Sequence, residues 1–558
     1  MPVQRQFRFL LPVGRWLTGI ILAVPFLILV LVLWFWSENI VFHDDYALLD
    51  FLLDWTDPAV LWSHKLHRLI EPHNYHRIVY DRLVTLGTYY LTGRINILVM
   101  IALGNAALLG VVWRFWTLFR QIVLPGWYFI PIPWWLLNLQ SHENMFWGMA
   151  ALANFTVIWL MIEALHRLIR RDRIMVPLLL SIAALFTNGN GLLAVVVGSL
   201  LVGWQWRQRT DGWVWVVGIG AAMGLFFWQY VPASGANTLV QAFLNTLMVL
   251  GASLTNQVRF GVAMVGGVLV GITWIVALVV SYRGRRHYLH TVRQIDTFAE
   301  LLSIGAVVVA TALILGLNRP LDELLRDRYR IYSHLAFSLS YLLGLLLLSN
   351  RFRRAWGVLA ASVAIAMYGG STYIKIPDII NLRQQRQLDA FNVRYYGTTL
   401  PPPYYAESNR KLLKQAYGRD VFRYPPVWSD PARWRQLPLP CHLTVEAFNT
   451  STSVVNNHYL RVRSSPAFLP GQAQLSSSAC LIAESSDGKR YALPATPLLT
   501  GKVDLLTSGR YFRNERITEF QKSTLPFGTY RLGLMFIHNN EVTGFTMSGQ
   551  TVTVTAAD

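Results

Sequence analysis

Two adjacent carboxylates, Asp44 and Asp45, follow the first membrane-length apolar segment of the chain. A carboxylate is costly to bury in hydrocarbon, so an acidic pair beside a membrane span is either a solvated flank or part of a working site. In the second case, one carboxylate accepts a proton from an acceptor hydroxyl while the other orients it or balances nearby cations. The pair is the candidate catalytic site, and we expect the two residues to contribute unequally.

The next polar loop carries imidazole and guanidinium groups that suit a phosphate: His73, His76 and Arg77. If residues 73–85 form a helix, His73 and Arg77 lie on one face at i, i+4 spacing and can hold a phosphate and its charge. One alternative is a membrane-surface helix that meets anionic lipid head groups. Another is a divalent metal site with Glu71, although the spacing matches no specific zinc motif. A divalent cofactor therefore stays open, with no metal ligand assigned.

Three further loops contribute polar side chains: His142, Glu143 and Asn144; Asn188 and Asn190; and Arg326 and Arg328. The first group is either a helix cap or a set of side chains that faces the same cavity as the acidic pair. The second group is either a tight turn or a set of amides that contacts a sugar ring. The arginines precede an external-to-internal span, where positive charge is disfavoured, so we expect an anionic partner such as a lipid phosphate.

Composition identifies the elements that must position these loops. The 558 residues are 53% hydrophobic and only 14% charged, which is typical of a polytopic membrane protein with a soluble portion attached. The formal net charge of +19 belongs to basic residues that border lipid, which argues against a nucleic-acid partner. A Walker loop, a Rossmann glycine fingerprint and a nucleophile elbow are all missing from the sequence, which gives no support to an ATP-driven pump.

Hydropathy predicts eleven spans: 16–36, 96–114, 122–139, 148–166, 174–187, 191–206, 213–231, 259–281, 297–317, 331–349 and 355–371. The loops that this count assigns to the cytoplasm are the arginine-rich ones, as the positive-inside rule requires: they carry Arg114 and Arg120; Arg167, Arg170, Arg171 and Arg173; Arg207 and Arg209; Arg283, Arg285 and Arg286; and Arg351, Arg353 and Arg354. The apolar stretch 238–255 is predicted to be interfacial or re-entrant. The N-terminus is then cytoplasmic, the C-terminus is external, and all the candidate polar loops emerge on the external side.

Three regions follow from these patterns. Residues 1–375 are the transmembrane domain with its external loops, and residues 376–439 are a polar connector at the external membrane face. Residues 440–558 show short alternating runs separated by turn residues, which predicts a β-sandwich. The only cysteines, Cys441 and Cys480, lie in this last region and are either a disulfide of an oxidising compartment or two free buried thiols.

The acidic pair at the start of the first external loop, the many spans and the external C-terminal domain resemble the C-type (GT-C) integral membrane glycosyltransferases. Three short runs resemble bacterial members of that superfamily: His73–Arg77, Glu143–Gly148 and Asn188–Gly191. The likeness covers the architecture of residues 1–370 but only short, degenerate motifs. It implies a bacterial inner-membrane enzyme that uses a polyprenyl-phosphate sugar donor at the periplasmic face. It also implies a carbohydrate-binding role for the β-sandwich, as in arabinosyltransferases.

Under that resemblance, Asp44 or Asp45 is the base of an inverting transfer. His73, His76, Arg77, Arg326 and Arg328 hold the donor phosphate, and His142, Glu143, Asn144, Asn188 and Asn190 position sugar or acceptor. The acceptor is an envelope glycan, such as lipopolysaccharide or O-antigen, or a secreted protein. The alternatives are a transporter or flippase for lipid-linked glycans and a noncatalytic envelope-assembly protein. A transporter predicts charges spread through the bundle and internal symmetry, neither of which the sequence displays.

Overall fold

The computed structural model describes residues 3–205, 211–230, 237–256, 259–288, 291–397, 403–452, 455–466, 477–538 and 541–555. The chain divides into two compact units. The helical unit comprises Met1–Ser37, Asp54–Leu91 and Asn96–Lys375. The sheet unit comprises Glu38–Leu53, Thr92–Ile95 and Ile376–Asp558, so the short segment that carries the acidic pair belongs to it.

Within the described residues, seven helices are long and apolar enough to cross a membrane: Arg15–Trp36, Ile97–Ile122, Gly148–Ile169, Phe260–Val280, Val292–Asn318, Asp327–Leu347 and Asn350–Tyr396. The first of them is the apolar part of a longer helix, Val3–Trp36. The predictions of a mostly helical chain with several membrane-length helices and of a C-terminal sheet region are confirmed.

Four further apolar helices of the described residues are 10–17 residues long: Met175–Leu185, Gly191–Trp204, Asp211–Phe227 and Leu239–Leu254. The last of them lies in the stretch that was predicted to be interfacial or re-entrant, and the other three are shorter than their predicted spans. At 1.5 Å per residue, a helix of 11 residues covers only about 17 Å of a hydrocarbon core about 30 Å thick. The helix within the predicted span 174–187 is therefore shorter than a core of that thickness. Arg207 and Arg209, predicted in a cytoplasmic loop, lie outside the described residues, as do the side chains of Arg283, Arg285 and Arg286.

The predicted span 122–139 is wrong as a continuous helix. Val123 has a left-handed backbone (φ 59°), and the chain then forms short helical turns: Gly126–Phe129, Pro131–Leu136 and His142–Phe146. The prolines in this stretch lack the N–H that an uninterrupted helix needs, which explains the breaks. Hydropathy does not detect these breaks, because the segment from 128 to 153 is as apolar as a continuous span and nearly all its side chains are buried in the helical unit.

Residues 126–146, which we call the buried crossing segment, nevertheless run antiparallel to helix Asp327–Leu347. Near one end of that helix the Tyr341 hydroxyl donates to the Tyr128 carbonyl oxygen at 2.6 Å. Near the other end the Asn144 amide donates to the Arg328 carbonyl oxygen at 2.7 Å. The two contact points on the helix are about 20 Å apart along its axis. Nearly all of its side chains are buried in the helical unit, so protein surrounds its irregular backbone.

Helices Trp62–Ile70 and Val79–Thr92 flank a small hairpin along the chain, and the short helix Leu321–Leu324 lies between Val292–Asn318 and Asp327–Leu347. The hairpin pairs β1 (Pro72–His73) with β2 (His76–Arg77). Helix Ile97–Ile122 begins after Asn96, whose side chain accepts a hydrogen bond from the Val99 amide and so caps an otherwise unpaired donor.

Eight strands form two four-stranded antiparallel sheets in the sheet unit: β3 (Cys441–Thr452), β4 (Val455–Pro466), β5 (Ser477–Ser485), β6 (Arg490–Leu493), β7 (Thr496–Leu499), β8 (Phe512–Gln521), β9 (Gly528–His538) and β10 (Glu541–Val554). One sheet has the order β10-β9-β5-β6 and the other β3-β4-β8-β7. Leu460 and Phe520 of one sheet share a buried cluster with Leu481 and Leu534 of the other. The unit also contains helices Asp45–Thr56, Pro403–Gly418 and Lys502–Ser508.

Both cysteines are free thiols on strands of different sheets, so the second alternative from the sequence is the correct one. Cys480 is fully buried, and the Gln384 side-chain amide donates to its sulfur at 2.7 Å. Burial raises the pKa of Cys480 to about 12 and that of Cys441 to about 11. The two thiols are therefore core groups with little thiolate character at neutral pH.

Candidate functional site

The acidic pair lies at the beginning of helix Asp45–Thr56, and the two carboxylates have different environments. Asp45 is completely buried, and its Oδ2 accepts a hydrogen bond from the Phe42 amide at 3.1 Å. His43, with φ 46°, makes the tight turn that allows this contact. A carboxylate in the first turn is also favoured by the positive end of the helix dipole. Asp44 is exposed.

A buried arginine compensates the charge of Asp45. Arg386 is 2% exposed, interacts electrostatically with Asp45 and Glu38, and places its guanidinium 4.8 Å from the centre of the Phe42 ring. Glu38 is also held by Arg383 at 2.6 Å. Asp45 is thus a fixed, charge-paired group that shapes the turn, and Asp44 is the carboxylate that solvent reaches.

The residue after Asp45, Tyr46, belongs to a cluster of phenol groups that the sequence did not reveal. The Tyr46 hydroxyl lies 2.9 Å from the Tyr424 hydroxyl and 3.5 Å from Asp389 Oδ2. Burial, together with the charge of Asp389, raises the pKa of both phenols far above the ordinary range. Both hydroxyls therefore stay protonated and brace the turn as neutral hydrogen-bonding groups. The only sequence signal was the position of Tyr46 next to the acidic pair.

In the helical unit, the predicted helix over residues 73–85 is wrong. Asn74, with φ 51°, forms the tip of the hairpin between β1 and β2, and Val79 begins the next helix. Arg77 is 1% exposed, and its Nε donates to the Phe226 carbonyl oxygen at 2.9 Å. Its other nitrogens donate to the carbonyl oxygens of Ile70 and Trp228. Arg77 therefore fastens the hairpin and is not placed to hold a ligand phosphate.

His76 lies against the turn that contains Asn188 and Asn190. A Cβ atom at Gly189 would come within 3.2 Å of the His76 Cβ, so the two loops are in close contact. The ring of His73 is 6.1 Å from that of His76. Burial, followed by the influence of His73 and Arg319, lowers the pKa of His76 to about 4. At neutral pH the imidazole is uncharged, with one donor and one acceptor nitrogen.

The metal alternative for this loop gains no support. Glu71 is 3.5 Å from Arg82 and also pairs with Arg68. Within the described part of the chain, His73, His76 and Glu71 are not among the groups whose ligand atoms converge as a metal would require.

The predicted amides come together in one hydrogen-bonded chain, which we call the amide chain. Asn144 Oδ1 accepts from Asn154 Nδ2 at 2.8 Å, and Asn154 Oδ1 accepts from Asn188 Nδ2 at 3.1 Å. Asn188 Oδ1 in turn accepts from the Asn190 backbone at 3.4 Å, and Asn190 Nδ2 donates to the Tyr332 hydroxyl at 2.6 Å. These contacts fix the orientation of each amide, so the remaining donors and acceptors have defined directions.

Asn154 and Tyr332 were missed from the sequence. Asn154 lies in a π-helical turn, Ala151–Phe155, and this kind of irregularity is frequent at functional sites. A polar amide in the middle of an apolar span was a visible signal, because such residues are costly in lipid and generally face the protein interior.

The arginines that the sequence predicts to be external form a cluster around a single carboxylate. Glu323 is 3.3 Å from Arg326, 3.5 Å from Arg319 and 4.0 Å from Arg328. Their side chains are 47%, 41% and 22% exposed, respectively. We call Arg319, Arg326 and Arg328 the arginine cluster. Three guanidinium groups that share one carboxylate can also accept an anion such as a phosphate.

His142 belongs to a different group of charges. Its Nδ1 is 3.5 Å from Asp327 Oδ2, and Asp327 is also bound by Lys375 at 2.6 Å and by Arg330 at 2.8 Å. His142 is only 5% exposed, whereas the neighbouring Glu143 is half-buried. This cluster fixes the end of the buried crossing segment, so His142 has a structural task.

The predicted site residues therefore fall into two sets. Asp44 and Asp45 belong to the sheet unit, and the amides, His73, His76 and the external arginines belong to the helical unit. Comparison of the chain with protein-family models, with curated proteins and with solved structures gave no match.

Proposed function

We propose that this protein is an inverting membrane glycosyltransferase. It moves a sugar from a polyprenyl-phosphate donor to an envelope glycan or a secreted protein at the periplasmic face of the bacterial inner membrane. The observation that carries the proposal is the contrast between Asp44 and Asp45. A general base must be open to its substrate and rigidly supported. Asp44 is exposed, and Asp45 anchors the turn beneath it.

The topology in this proposal has eleven crossings. They are the seven long helices, three of the shorter apolar helices and the buried crossing segment, with Leu239–Leu254 left as an interfacial element. The N-terminus is cytoplasmic and the sheets are periplasmic. This count retains the positive-inside pattern of the arginine-rich loops.

The proposed reaction is a single displacement. The acceptor oxygen attacks the anomeric carbon, Asp44 takes the proton of that hydroxyl, and the bond from the anomeric carbon to the phosphate oxygen breaks. Its electron pair leaves with the polyprenyl phosphate, and the configuration at the anomeric carbon inverts. One base suffices for this route.

The leaving phosphate gains negative charge as the bond breaks. In the helical unit, the arginine cluster offers cations for a donor phosphate, and the uncharged His76 offers a hydrogen bond. The amide chain offers oriented donors and acceptors for sugar hydroxyls. Arg77 and His142 take no part, because their side chains are committed to backbone carbonyls and to Asp327, respectively.

The test is donor turnover by the purified full-length protein. Polyprenyl-phosphate sugars are supplied with an envelope extract from a strain that lacks the gene, and both sugar transfer and release of polyprenyl phosphate are measured. Asp44→Asn should reduce turnover by about 10²–10⁴-fold, the usual contribution of a positioned base. Asp50→Asn, which alters an exposed carboxylate on the same helix, is the matched control and should stay near wild type.

Arg326→Gln should raise KM for the donor more than it lowers kcat, because it removes one of three cations that bind the phosphate. Full turnover in Asp44→Asn removes this residue from catalysis. Movement of the intact donor across the membrane without release of polyprenyl phosphate supports the transport alternative instead.

A further inference from the structure

An open pocket of about 490 Å³ lies at the end of helix Asp327–Leu347 that is remote from the arginine cluster. The arginine cluster precedes this helix, whereas the pocket is lined by the first turns of helix Asn350–Tyr396, by the first residues of the buried crossing segment and by the two residues before that segment. Its lining includes Trp127, Tyr128, Asn350, Arg353, Arg354 and Val358. A volume of this size is ordinary for small-ligand sites.

Positive charge in the pocket is not balanced by acidic side chains. Arg353 donates from Nη1 to Asn350 Oδ1 at 2.9 Å and from Nη2 to the Leu348 carbonyl oxygen at 3.0 Å, so its guanidinium is held in place. Its Nε is buried and has no hydrogen-bond partner in the described chain. Arg354 is exposed. Across the residues that the structure describes, no carboxylate pairs with Arg351, Arg353 or Arg354.

The opposite wall is aromatic and rigid. The rings of Trp127 and Tyr128 stack at 3.8 Å. They rest on Gly357, where a Cβ atom would come within 2.7 Å of Tyr128 and 3.0 Å of Trp127. Trp and Tyr are enriched where membrane proteins meet lipid head groups. The chemistry of this wall therefore suits the head-group and glycerol region of a lipid.

Exposed apolar side chains accompany the pocket. Val358, in its lining, is 53% exposed, and two neighbours of lining residues along the chain, Phe352 and Val123, are 61% and 83% exposed. A soluble anion would gain nothing from these side chains, whereas a ligand with acyl chains would bury them. The positive-inside rule accounts for arginines in this loop, but it requires neither a fixed guanidinium nor a pocket with an aromatic wall.

We propose that this pocket binds the phosphate head group of an anionic glycerophospholipid. The phosphate oxygens accept hydrogen bonds from the Arg354 guanidinium, and the fixed guanidinium of Arg353 adds positive charge. The aromatic wall contacts the glycerol region, and the acyl chains lie along Val358 and Phe352. The site is independent of the proposed sugar transfer, because it lies at the other end of helix Asp327–Leu347 and shares no residue with the arginine cluster. Under the proposed topology it faces the cytoplasmic leaflet.

The experiment uses the delipidated full-length protein in a neutral detergent, titrated with short-chain phosphatidylglycerol and observed by native mass spectrometry. Arg354→Gln, at an exposed position that folding tolerates, should weaken binding by about tenfold or more, as expected for a lost charge-assisted hydrogen bond. Val358→Glu tests the same site without altering an arginine, and repulsion of the phosphate should weaken binding to a similar degree. Arg351→Gln is the matched control, because Arg351 is exposed and lies outside the pocket lining.

Two further probes identify the ligand class. Phosphatidylcholine should bind more weakly than phosphatidylglycerol, and millimolar inorganic phosphate should not displace the lipid. Displacement by inorganic phosphate means that the pocket takes a free anion and overturns the lipid assignment. An equal loss of binding in Arg351→Gln and Arg354→Gln, or no loss in both Arg354→Gln and Val358→Glu, overturns the site. Sugar transfer is not a readout, so failure of the proposed function leaves this test unchanged.

Discussion

The replacement Asp45→Asn separates the two carboxylates of the acidic pair by their effect on stability. Asn keeps the shape of the side chain and an oxygen that can accept from the Phe42 amide. It removes the negative charge that faces the buried Arg386 and the positive end of helix Asp45–Thr56. We expect the free energy of unfolding of the sheet unit to fall, because the positive charge of the buried Arg386 is then offset by Glu38 and no longer by Asp45.

The size of this loss follows from two contributions. Removing one partner of a buried ion pair costs about 3–5 kcal/mol. Because Arg386 keeps its interaction with Glu38, we expect Asp45→Asn to cost less than this, about 2 kcal/mol. Loss of the favourable charge at the helix N-terminus adds about 0.3–1 kcal/mol. The expected total of about 3 kcal/mol corresponds to a decrease in Tm of about 6–12 °C for a unit of 150–250 residues.

The assay is thermal unfolding of the purified full-length protein in detergent, followed by limited proteolysis of the sheet unit. Asp44→Asn is the matched control, and because Asp44 is exposed it should stay within about 0.5 kcal/mol of wild type. Equal melting of Asp45→Asn and wild type would refute the reasoning. So would a larger loss in Asp44→Asn than in Asp45→Asn.

Three further predictions concern single residues. The pKa of His76 is about 4 in the folded chain and about 6.5 in the unfolded chain. Between these pH values the unfolded chain binds more protons than the folded chain. As the pH falls from 6.5 to 4, His76 should therefore reduce the free energy of unfolding by up to about 3 kcal/mol. Melting curves at pH 7 and pH 5 should therefore differ less in His76→Gln than in wild type, and an unchanged difference contradicts the assignment. Arg77→Gln leaves three backbone carbonyl oxygens without their hydrogen-bond donor. Chemical denaturation should show that it lowers the free energy of unfolding by about 3 kcal/mol. Arg326→Gln, at an exposed position, is the control and should change this free energy by less than about 0.5 kcal/mol. Cys441 and Cys480 should remain reduced, so the intact mass of the protein should not change when a reductant is added. A mass difference between oxidised and reduced samples would show that a disulfide forms. Iodoacetamide should modify the more accessible Cys441 before the buried Cys480.

The fold was predictable where one kind of signal dominated. Long apolar runs such as 16–36 and 259–281 correspond to helices because length and hydropathy alone define them. The run 122–139 has the same hydropathy but contains prolines, and its backbone is held by Tyr341, more than 200 residues later in the chain. Contacts of that sequence separation are invisible to a sliding window, which is why the broken backbone was missed.

The site was predictable as a set of polar loops but not in its details. Asn144, Asn188 and Asn190 do converge, and Asn154, which joins them, was recognisable as a polar residue inside a span. The structural role of Arg77 could not be inferred, because its carbonyl partners at Phe226 and Trp228 are supplied by a distant helix end. An assumed helical periodicity over residues 73–85 concealed the hairpin that points this side chain inward.

Under the proposed topology, the buried crossing segment has a consequence for the order in which the chain is assembled in the membrane. Helix Asp327–Leu347, which contacts it at Tyr128 and Asn144, leaves the ribosome nearly 200 residues later. A broken helix is a poor substrate for independent insertion, since its free backbone groups are costly in lipid. We therefore expect residues 126–146 to wait in the translocation machinery or at the interface until residue 347 has been synthesised. Under that topology, the order of synthesis, and not hydropathy, determines how many times this part of the chain crosses the membrane.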